Sequence, residues 1–416
     1  MRICVIGAGY VGLITGACLA NLGHEITLVD VNLKKIQTIN IQKSPFYEKG
    51  LPALLNRNKI KATTKITNTL NNFQIIFICV GTPTKEDNTQ DLSYIKNACE
   101  QIGKNLHKNQ TIVIKSSVVP GTTKDIIVPI LEKYSKMREG TDFFVTVNPE
   151  FLQEGNAVKN FFNPDRIIIG SNNSKSKKIL EELYKDFTCP KLFTSLTAAE
   201  MIKYASNAFL STKISFINEI GNICKKLNID TYEVAEGMGY DKRIGRDFLN
   251  AGIGWGGSCF PKDLKALITK AKELGETPRI LESVLQTNQE QPQKPINLLK
   301  KHIEDIKGKE IGILGASFKP NTDDIRESRS IPIIKELLDQ QVNVKLYDPK
   351  AMDNLKEIFP DIYYCSAEEV LNSDAVFILT EWEEFENLNY KDKIVIDGRK
   401  IEKAKKESKI YEGVCW

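Results

Sequence analysis

Histidine is almost missing: the 416 residues hold three, at positions 24, 107 and 302, far from one another. A His-based triad is therefore not expected, and the nine cysteines contain no Cys-x-x-Cys pair, so no metal is expected. An excess of one charge sign is missing too. Fifty-seven Lys plus Arg against 53 Asp plus Glu leave +4, with no basic tail or block, which argues against a nucleic-acid binder. Long hydrophobic runs are lacking: stretches such as Ile75–Val80 have strand length, far short of a membrane span. Met1-Arg2 leads straight into the strand pattern Ile3–Ile6, so no signal peptide is expected. An odd, unpatterned set of cysteines points to reduced thiols in the cytoplasm. Hydrophobic residues at 41% and charged ones at 26% are ordinary for a globular protein, and the length suggests two or three domains.

The first 190 residues alternate short Ile/Val-rich runs with helical stretches. Expected strands are Ile3–Ile6, Ile26–Val29, Ile75–Val80, Thr111–Lys115, Phe143–Val147 and Arg166–Ile169; expected helices include Tyr10–Leu22 and Thr122–Tyr134. Runs without polar alternation suit parallel strands buried on both faces, hence an α/β doubly wound sheet. From Thr197 to Leu227 the pattern becomes one long helix, with Thr197 and Glu200 at capping-box spacing. Its apolar residues wrap much of its surface, which suits either packing within the chain or a dimer core. Gln291–Pro295 is the expected boundary. Beyond it, strands at Glu310–Leu314, Val342–Tyr347, Ala375–Leu379 and Ile394–Ile396 announce a second, smaller α/β domain. The expected division is 1–195, a central helical domain at 196–292, and 293–416.

Gly7-Ala8-Gly9-Tyr10-Val11-Gly12 follows the first strand and opens the first helix, and Asp30 ends the second strand. Gly7 suits the tight turn, Gly9 a close approach of pyrophosphate, and Gly12 helix–strand packing. Asp30 can accept from a ribose 2′-OH and would repel a 2′-phosphate, which favours NAD over NADP. Lys34 and Lys35 suit either phosphate contact or solvent. Gly81-Thr82-Pro83 ends a strand where ligands bind in such sheets, or forms a plain turn.

Cys259 stands alone among the nine cysteines. Gly252-Ile253-Gly254-Trp255-Gly256-Gly257-Ser258 precedes it, and Pro261 and Asp263 open a helical pattern just after it. A thiol at a helix N-terminus beside Lys262 is placed for nucleophilic attack. Lys203 and Asn207, four apart, share a helix face and suit an oxyanion, or else an exposed stem and a surface amide. Glu150 and Glu154 lie just past a strand end, as bases or as a solvated loop.

The segments GAGYVG, KSSVVPGTT, NPEFLQEG, KYASNAFLSTKISFINEI, FLNAGIGWGGSCFPKD and SFKPNTDDIRES together resemble the UDP-glucose/GDP-mannose dehydrogenase family, in family order over nearly the whole chain. The long-helix segment and the cysteine loop are more similar to its UDP-glucose branch. The resemblance implies two Rossmann-like domains joined by a helical one. It also implies oxidation of a nucleotide sugar at C6 with two NAD and one water, through a thiohemiacetal and a thioester on Cys259. By the same resemblance, a water held by Asp263 takes the first proton, Glu150 serves hydrolysis, and Lys203 and Asn207 hold oxyanions. Ser117 would position water or cofactor, although the family has Thr there. Cofactor contacts would come from Gly9, Tyr10, Val11, Asp30, Lys35, Thr82, Ser117, Glu154, Lys262 and Arg329. Glu150, Phe151, Leu152, Glu154, Lys203, Asn207, Phe248, Leu249, Asn250, Gly252, Gly256, Phe318, Lys319 and Arg399 would line the sugar and nucleotide. Arg243 would reach a neighbouring subunit, in a homodimer built on the long helix. A two-electron hydroxyacid dehydrogenase, which needs no such cysteine loop, and a non-enzymatic NAD sensor remain the competing classes.

Overall fold

The computed structural model describes residues 1–58, 60–66, 70 and 72–416. The chain divides into two compact units: Met1–Ser206 with Lys265–Glu273, and Asn207–Leu264 with Leu274–Trp416.

The first unit is built on eight strands: β1 (Arg2–Ile6), β2 (Glu25–Val29), β3 (Lys61–Thr63), β4 (Ile75–Ile78), β5 (Thr111–Ile114), β6 (Phe144–Val147), β7 (Ile167–Gly170) and β8 (Lys191–Thr194). Their order is β3-β2-β1-β4-β5-β6-β7-β8. Successive side chains of a strand point to opposite faces, and here both faces are covered. Ile3, Val5, Ile75 and Phe77 join one core with Leu13 and Ala17, whereas Cys4, Ile6, Ile76 and Ile78 join another with Ile95 and Ile102. Each Ile or Leu so buried contributes about 1.5–3 kcal/mol, which is why these runs carry no polar alternation.

The second unit repeats the plan with β9 (Glu310–Leu314), β10 (Asn343–Tyr347), β11 (Tyr363–Tyr364), β12 (Ala375–Ile378), β13 (Ile394–Asp397) and β14 (Ile410–Gly413), in the order β11-β10-β9-β12-β13-β14. All its neighbours pair in parallel. Both sheets thus contain the 3-2-1-4-5-6 order of dinucleotide-binding folds.

The long helix runs Leu196–Leu227, 32 residues and about 48 Å at 1.5 Å per residue. Its capping box does not form. Helix begins one residue before Thr197, so Ser195 takes the cap and its Oγ accepts from the Ala198 N–H at 3.2 Å. Glu200 is instead buried and accepts from the N–H groups of Gly121 (2.7 Å) and Thr123 (2.8 Å), capping a different helix.

Two further expectations are revised. The helix at Thr122–Tyr134 splits into a π-turn, Thr123–Ile127, and an α-helix, Val128–Ser135. Pro129 has no N–H to continue the ladder, and Val128 N–H reaches back five residues to Thr123. The first sheet is not wholly parallel, because β6 and β7 pair antiparallel through Val147 and Gly170. At Gln291–Pro295 the chain passes from helix Arg279–Glu290 into helix Gln293–Leu299, with Gln291 and Pro295 buried. Among the described residues no helix is long and apolar enough to cross a membrane.

Candidate active site

In the first unit the glycine turn has the shape a dinucleotide requires. A Cβ on Gly7 (φ +96°) would meet the Cys79 carbonyl oxygen at 2.7 Å, and one on Gly12 would meet the Gly7 oxygen at 1.9 Å. A Cβ on Gly9 would meet nothing within 4 Å, although Gly9 caps the helix Tyr10–Asn21. Open space in front of unpaired helix N–H groups is an anion site. Asp30 is held by the N–H groups of Ala8 and Asn32, each at 2.8 Å, which leaves its oxygens further lone pairs for ribose hydroxyls. Asn32 also caps the next helix through the Lys35 N–H, leaving Lys35 half-buried and Lys34 exposed.

The second unit builds the same turn and then fills it. Gly315 N–H bonds to Tyr347 as Gly7 N–H does to Val29, and Ala316 N–H bonds to Asp348 as Ala8 N–H does to Asp30. Asp348, however, is fully buried. It accepts from Ser317 N–H and Oγ, Lys350 N–H, Ala351 N–H and Trp382 Nε1 as well. A carboxylate saturated this way has no capacity for ribose, so of the two turns the one at Gly7–Gly12 keeps that capacity.

Around that turn, Thr82 Oγ1 donates to the Ser117 carbonyl at 2.9 Å, and Gln90 Nε2 donates to the same oxygen at 2.8 Å. Tyr10 donates its hydroxyl to Glu48, and Val11 packs beside it against the core. Glu48, only 2% exposed, also accepts from Gly155 N–H (2.7 Å) and Ala157 N–H (2.8 Å). One carboxylate therefore joins the cofactor turn to the loop that carries Glu150 and half-buried Glu154. Sequence reasoning missed Glu48 because nothing local marks a loop glutamate as buried. Glu48→Ala should leave three donors without an acceptor and cost about 3 kcal/mol. Thermal denaturation should show this as a fall on the order of 10 °C; an unchanged melting temperature would refute the role.

Glu150 and Lys203 form a buried pair, Nζ to Oε1 at 2.9 Å, with side chains 5% and 4% exposed. The other carboxylate oxygen accepts from the Leu152 N–H at 2.6 Å. Phe151 lies alongside, with the Arg166 guanidinium 4.0 Å from its ring centre and Lys203 Nζ at 5.4 Å.

In the second unit Cys259 occupies the cap of helix Phe260–Glu273, its carbonyl accepting the first intrahelical bond from Asp263 N–H at 2.9 Å. Ser258 Oγ is 3.6 Å from its sulfur. Asp263, 1% exposed, binds Lys262 Nζ at 2.5 Å through one oxygen and accepts from Asn207 Nδ2 at 2.7 Å through the other. Lys262 therefore shares its charge with Asp263. Lys203 and Asn207, expected as two donors aimed at one point, are each paired with a carboxylate, because a buried charge needs a partner. Elsewhere burial pushes the Cys4, Cys79, Cys99 and Cys415 thiols up to about 12, which leaves them inert.

Three buried amides hold the loop before Cys259, and none stood out in the sequence. Asn218 accepts from Gly252 N–H (2.8 Å), and Gln291 donates to the Gly252 carbonyl (2.7 Å). Asn288 grips Trp255 at both N–H (2.8 Å) and C=O (2.9 Å). Glycine is required where backbones touch: a Cβ on Gly252 would be 2.4 Å from the Gly398 oxygen, and on Gly256 2.2 Å from that of Glu327. Polar residues on an otherwise apolar helix face were the available signal. Phe248 holds φ +64°, a strained conformation for a bulky residue. Leu249 beside it is buried, and exposed Asn250 accepts from Arg246. Phe318 packs against Gly257, with Lys319 over its ring at 5.6 Å. Arg399 donates to the Leu379 carbonyl and pairs with Glu381, while Arg329 pairs with Glu327. Arg243 projects into solvent and pairs with Asp241. Among the described residues no three His, Cys, Asp or Glu side chains cluster as a metal site.

A turn open to a pyrophosphate in one unit, and a cysteine capping a helix in the other, define a nucleotide-dependent oxidoreductase of α/β class. Residues 1–188, 197–290 and 312–404 match the NAD binding, central and UDP binding domains of the UDP-glucose/GDP-mannose dehydrogenase family. The chain belongs to this family. It is 40% identical to the UDP-glucose 6-dehydrogenase AglM of Haloferax volcanii, over 100% of both chains. It is 43% identical to YwqF, a UDP-glucose 6-dehydrogenase of Bacillus subtilis, over 96% of this chain and 93% of that one. A solved UDP-glucose dehydrogenase from Pyrobaculum islandicum is similar with a TM-score of 0.96 at 38% identity, covering 100% of this chain and 98% of the other.

Proposed function

We propose that the protein oxidises UDP-glucose to UDP-glucuronate in two steps, taking four electrons through a covalent intermediate on Cys259. The observation that carries this reading is the thiol at a helix cap, behind a glycine loop whose backbone three buried amides hold still. Such a cap offers N–H groups and partial positive charge to a thiolate and to the oxyanion that its attack creates. NAD, bound twice in turn, supplies the two-electron acceptor. Residues Gly7, Gly9, Gly12, Tyr10, Val11, Asp30, Lys35, Thr82, Ser117 and Glu154, with Lys262 and Arg329, are assigned to it.

Asp263 holds the water that takes the C6 hydroxyl proton. Cys259 Sγ adds to the aldehyde carbon, giving a thiohemiacetal whose oxidation leaves a thioester. Lys203 and Asn207 support the oxygen, and Glu150 takes a proton from the hydrolytic water. Phe248–Gly252, Gly256, Phe318, Lys319 and Arg399 are assigned to the sugar nucleotide, with Phe151 and Leu152. Residues 1–195, 196–292 and 293–416 would act as cofactor, central and UDP-sugar domains in the cytoplasm. No metal takes part in this scheme.

The test counts NADH against sugar consumed over a panel of nucleotide sugars. Two NADH per UDP-glucose, with the uronate as product, is expected. One NADH with release of an aldehyde or ketone overturns the four-electron reading, and preference for GDP-mannose or a UDP-N-acetylhexosamine overturns the substrate.

The same reading includes a homodimer. Phe209, Phe216 and Ile223 recur every seven residues along the long helix and stand 65%, 48% and 51% exposed, with Met201 and Leu227 beside them. A second copy is their natural cover, and exposed Arg243 would serve its site. Replacing Phe209 and Phe216 by Glu should halve the mass by sedimentation and reduce turnover at least tenfold. A variant that stays dimeric refutes this interface.

A further inference from the structure

Lys115 is a buried cation that the reaction above does not use. It is 6% exposed at the end of β5, and Nζ donates to Asn148 Oδ1 (3.0 Å) and to the Asn148 carbonyl (3.3 Å). Asn148 cannot turn away. Its Oδ1 also accepts from Tyr184 Oη at 2.7 Å, and its Nδ2 donates to the Ile168 carbonyl at 2.8 Å. Lys115, Asn148, Glu150, Phe151, Arg166 and Tyr184 line one cavity of about 70 Å³. Each water needs about 10–15 Å³ of such space, so several fit.

Glu150 and Lys203 act directly on the Lys115 charge, Asp165 and Arg166 add one charge of each sign to the cavity lining, and the Cys79 thiol and Tyr184 phenol are held neutral by burial. Glu150 already has one buried cation at 2.9 Å in Lys203. A second protonated amine leaves the cluster with a net positive charge, whereas a neutral one balances it.

We propose that Lys115 is a positioning residue for Glu150: by sharing its cavity, the amine sets how readily that carboxylate takes the proton released in hydrolysis. This rests on the reading of Glu150 as the hydrolytic base. In that step the water oxygen bonds to the thioester carbon and one water proton passes to Glu150. The carbon–sulfur bond breaks with its electron pair on Cys259, and the second proton leaves the product acid to solvent. A charged Lys115 weakens Glu150 as a base, and a neutral one strengthens it.

Burial pushes the Lys115 amine down to about 8, so both states occur near neutral pH. Hydrolysis should therefore quicken as pH rises through that value, and slow below it. A charge sharing the cavity of a general base passes only part of its effect into the rate, hence a change of about tenfold.

The experiment follows decay of the acyl group on Cys259 by quenched mass spectrometry, from pH 6.5 to 9.5. Wild type should show the rise near pH 8. Lys115→Met should stay at the fast level throughout, and Lys115→Arg, always charged, at the slow level. Opposite effects from two substitutions are not what a structural tether gives. The inference is overturned if both variants keep the wild-type limb, or if both are merely slow. If Lys115→Met fails to fold, as judged by its melting curve, Lys115→Arg against wild type decides alone. A Glu150→Gln control separates the layers. Normal acyl decay there overturns the base assignment and this inference with it. Slow decay in Glu150→Gln with profiles indifferent to Lys115 overturns only the role of Lys115.

Discussion

Cys259→Ser should lose steady-state turnover by at least about 10³-fold while still binding both ligands. The loss has a chemical cause. A serine hydroxyl at the same cap lacks the thiolate's nucleophilicity, so the aldehyde is not trapped as a competent adduct for the second oxidation. NADH should fall from two to at most one per sugar, with material stalled at the aldehyde level. The fold should survive, because Cys259 contributes its carbonyl to the helix through Asp263 N–H, and serine retains that bond. Stopped-flow absorbance with product analysis checks it. Two NADH per sugar at the wild-type rate would end the covalent mechanism.

Glu150→Gln should act at the other end of the reaction. With no carboxylate to accept a proton from water, hydrolysis should slow by about 10²–10⁴. Two NADH should appear in a burst per site, followed by a stall with the acyl group held on Cys259. The substitution should also destabilise the protein. It removes the 2.9 Å counter-ion of buried Lys203, whose charge already repels that of Lys115. Removing one partner of a buried pair costs about 3–5 kcal/mol, and the retained amide oxygen should keep the loss near the lower end. Mass spectrometry of the stalled enzyme and a thermal melt report the two effects separately. Undiminished turnover would assign hydrolysis to another group.

Much of the cofactor turn, the sheets and the cysteine cap is legible in the residues themselves. Gly7 and Gly12 are readable because each stands where a Cβ would collide with backbone, at 2.7 Å from the Cys79 oxygen and 1.9 Å from the Gly7 oxygen, while the space at Gly9 is open. The β-strands of both sheets are readable because parallel strands covered on two faces admit only apolar runs. Short edge strands such as β3, β8, β11 and β14 escape such reading, since little burial marks them. The position of Cys259 at a helix cap is readable from Pro261 and Asp263 beside the glycines.

Other features depend on distant pairings. Glu200 looks like a local cap and instead caps a helix 77 residues earlier. Glu48, Asn218, Asn288 and Gln291 give no local sign of the backbone groups that they hold.

What the chain's own order of residues determined was its local chemistry: where strands and helices form, which turn can admit a pyrophosphate, and which thiol sits at a helix start. Backbone geometry and apolar periodicity act over a few residues, so they are written in sequence. Only the tertiary structure decided which of two similar turns stays open, which carboxylates pair with Lys203 and Asn207, and that Lys115 shares a cavity with Glu150. Those outcomes follow from burial, which compels each polar group to find a partner wherever the fold brings one within about 3 Å.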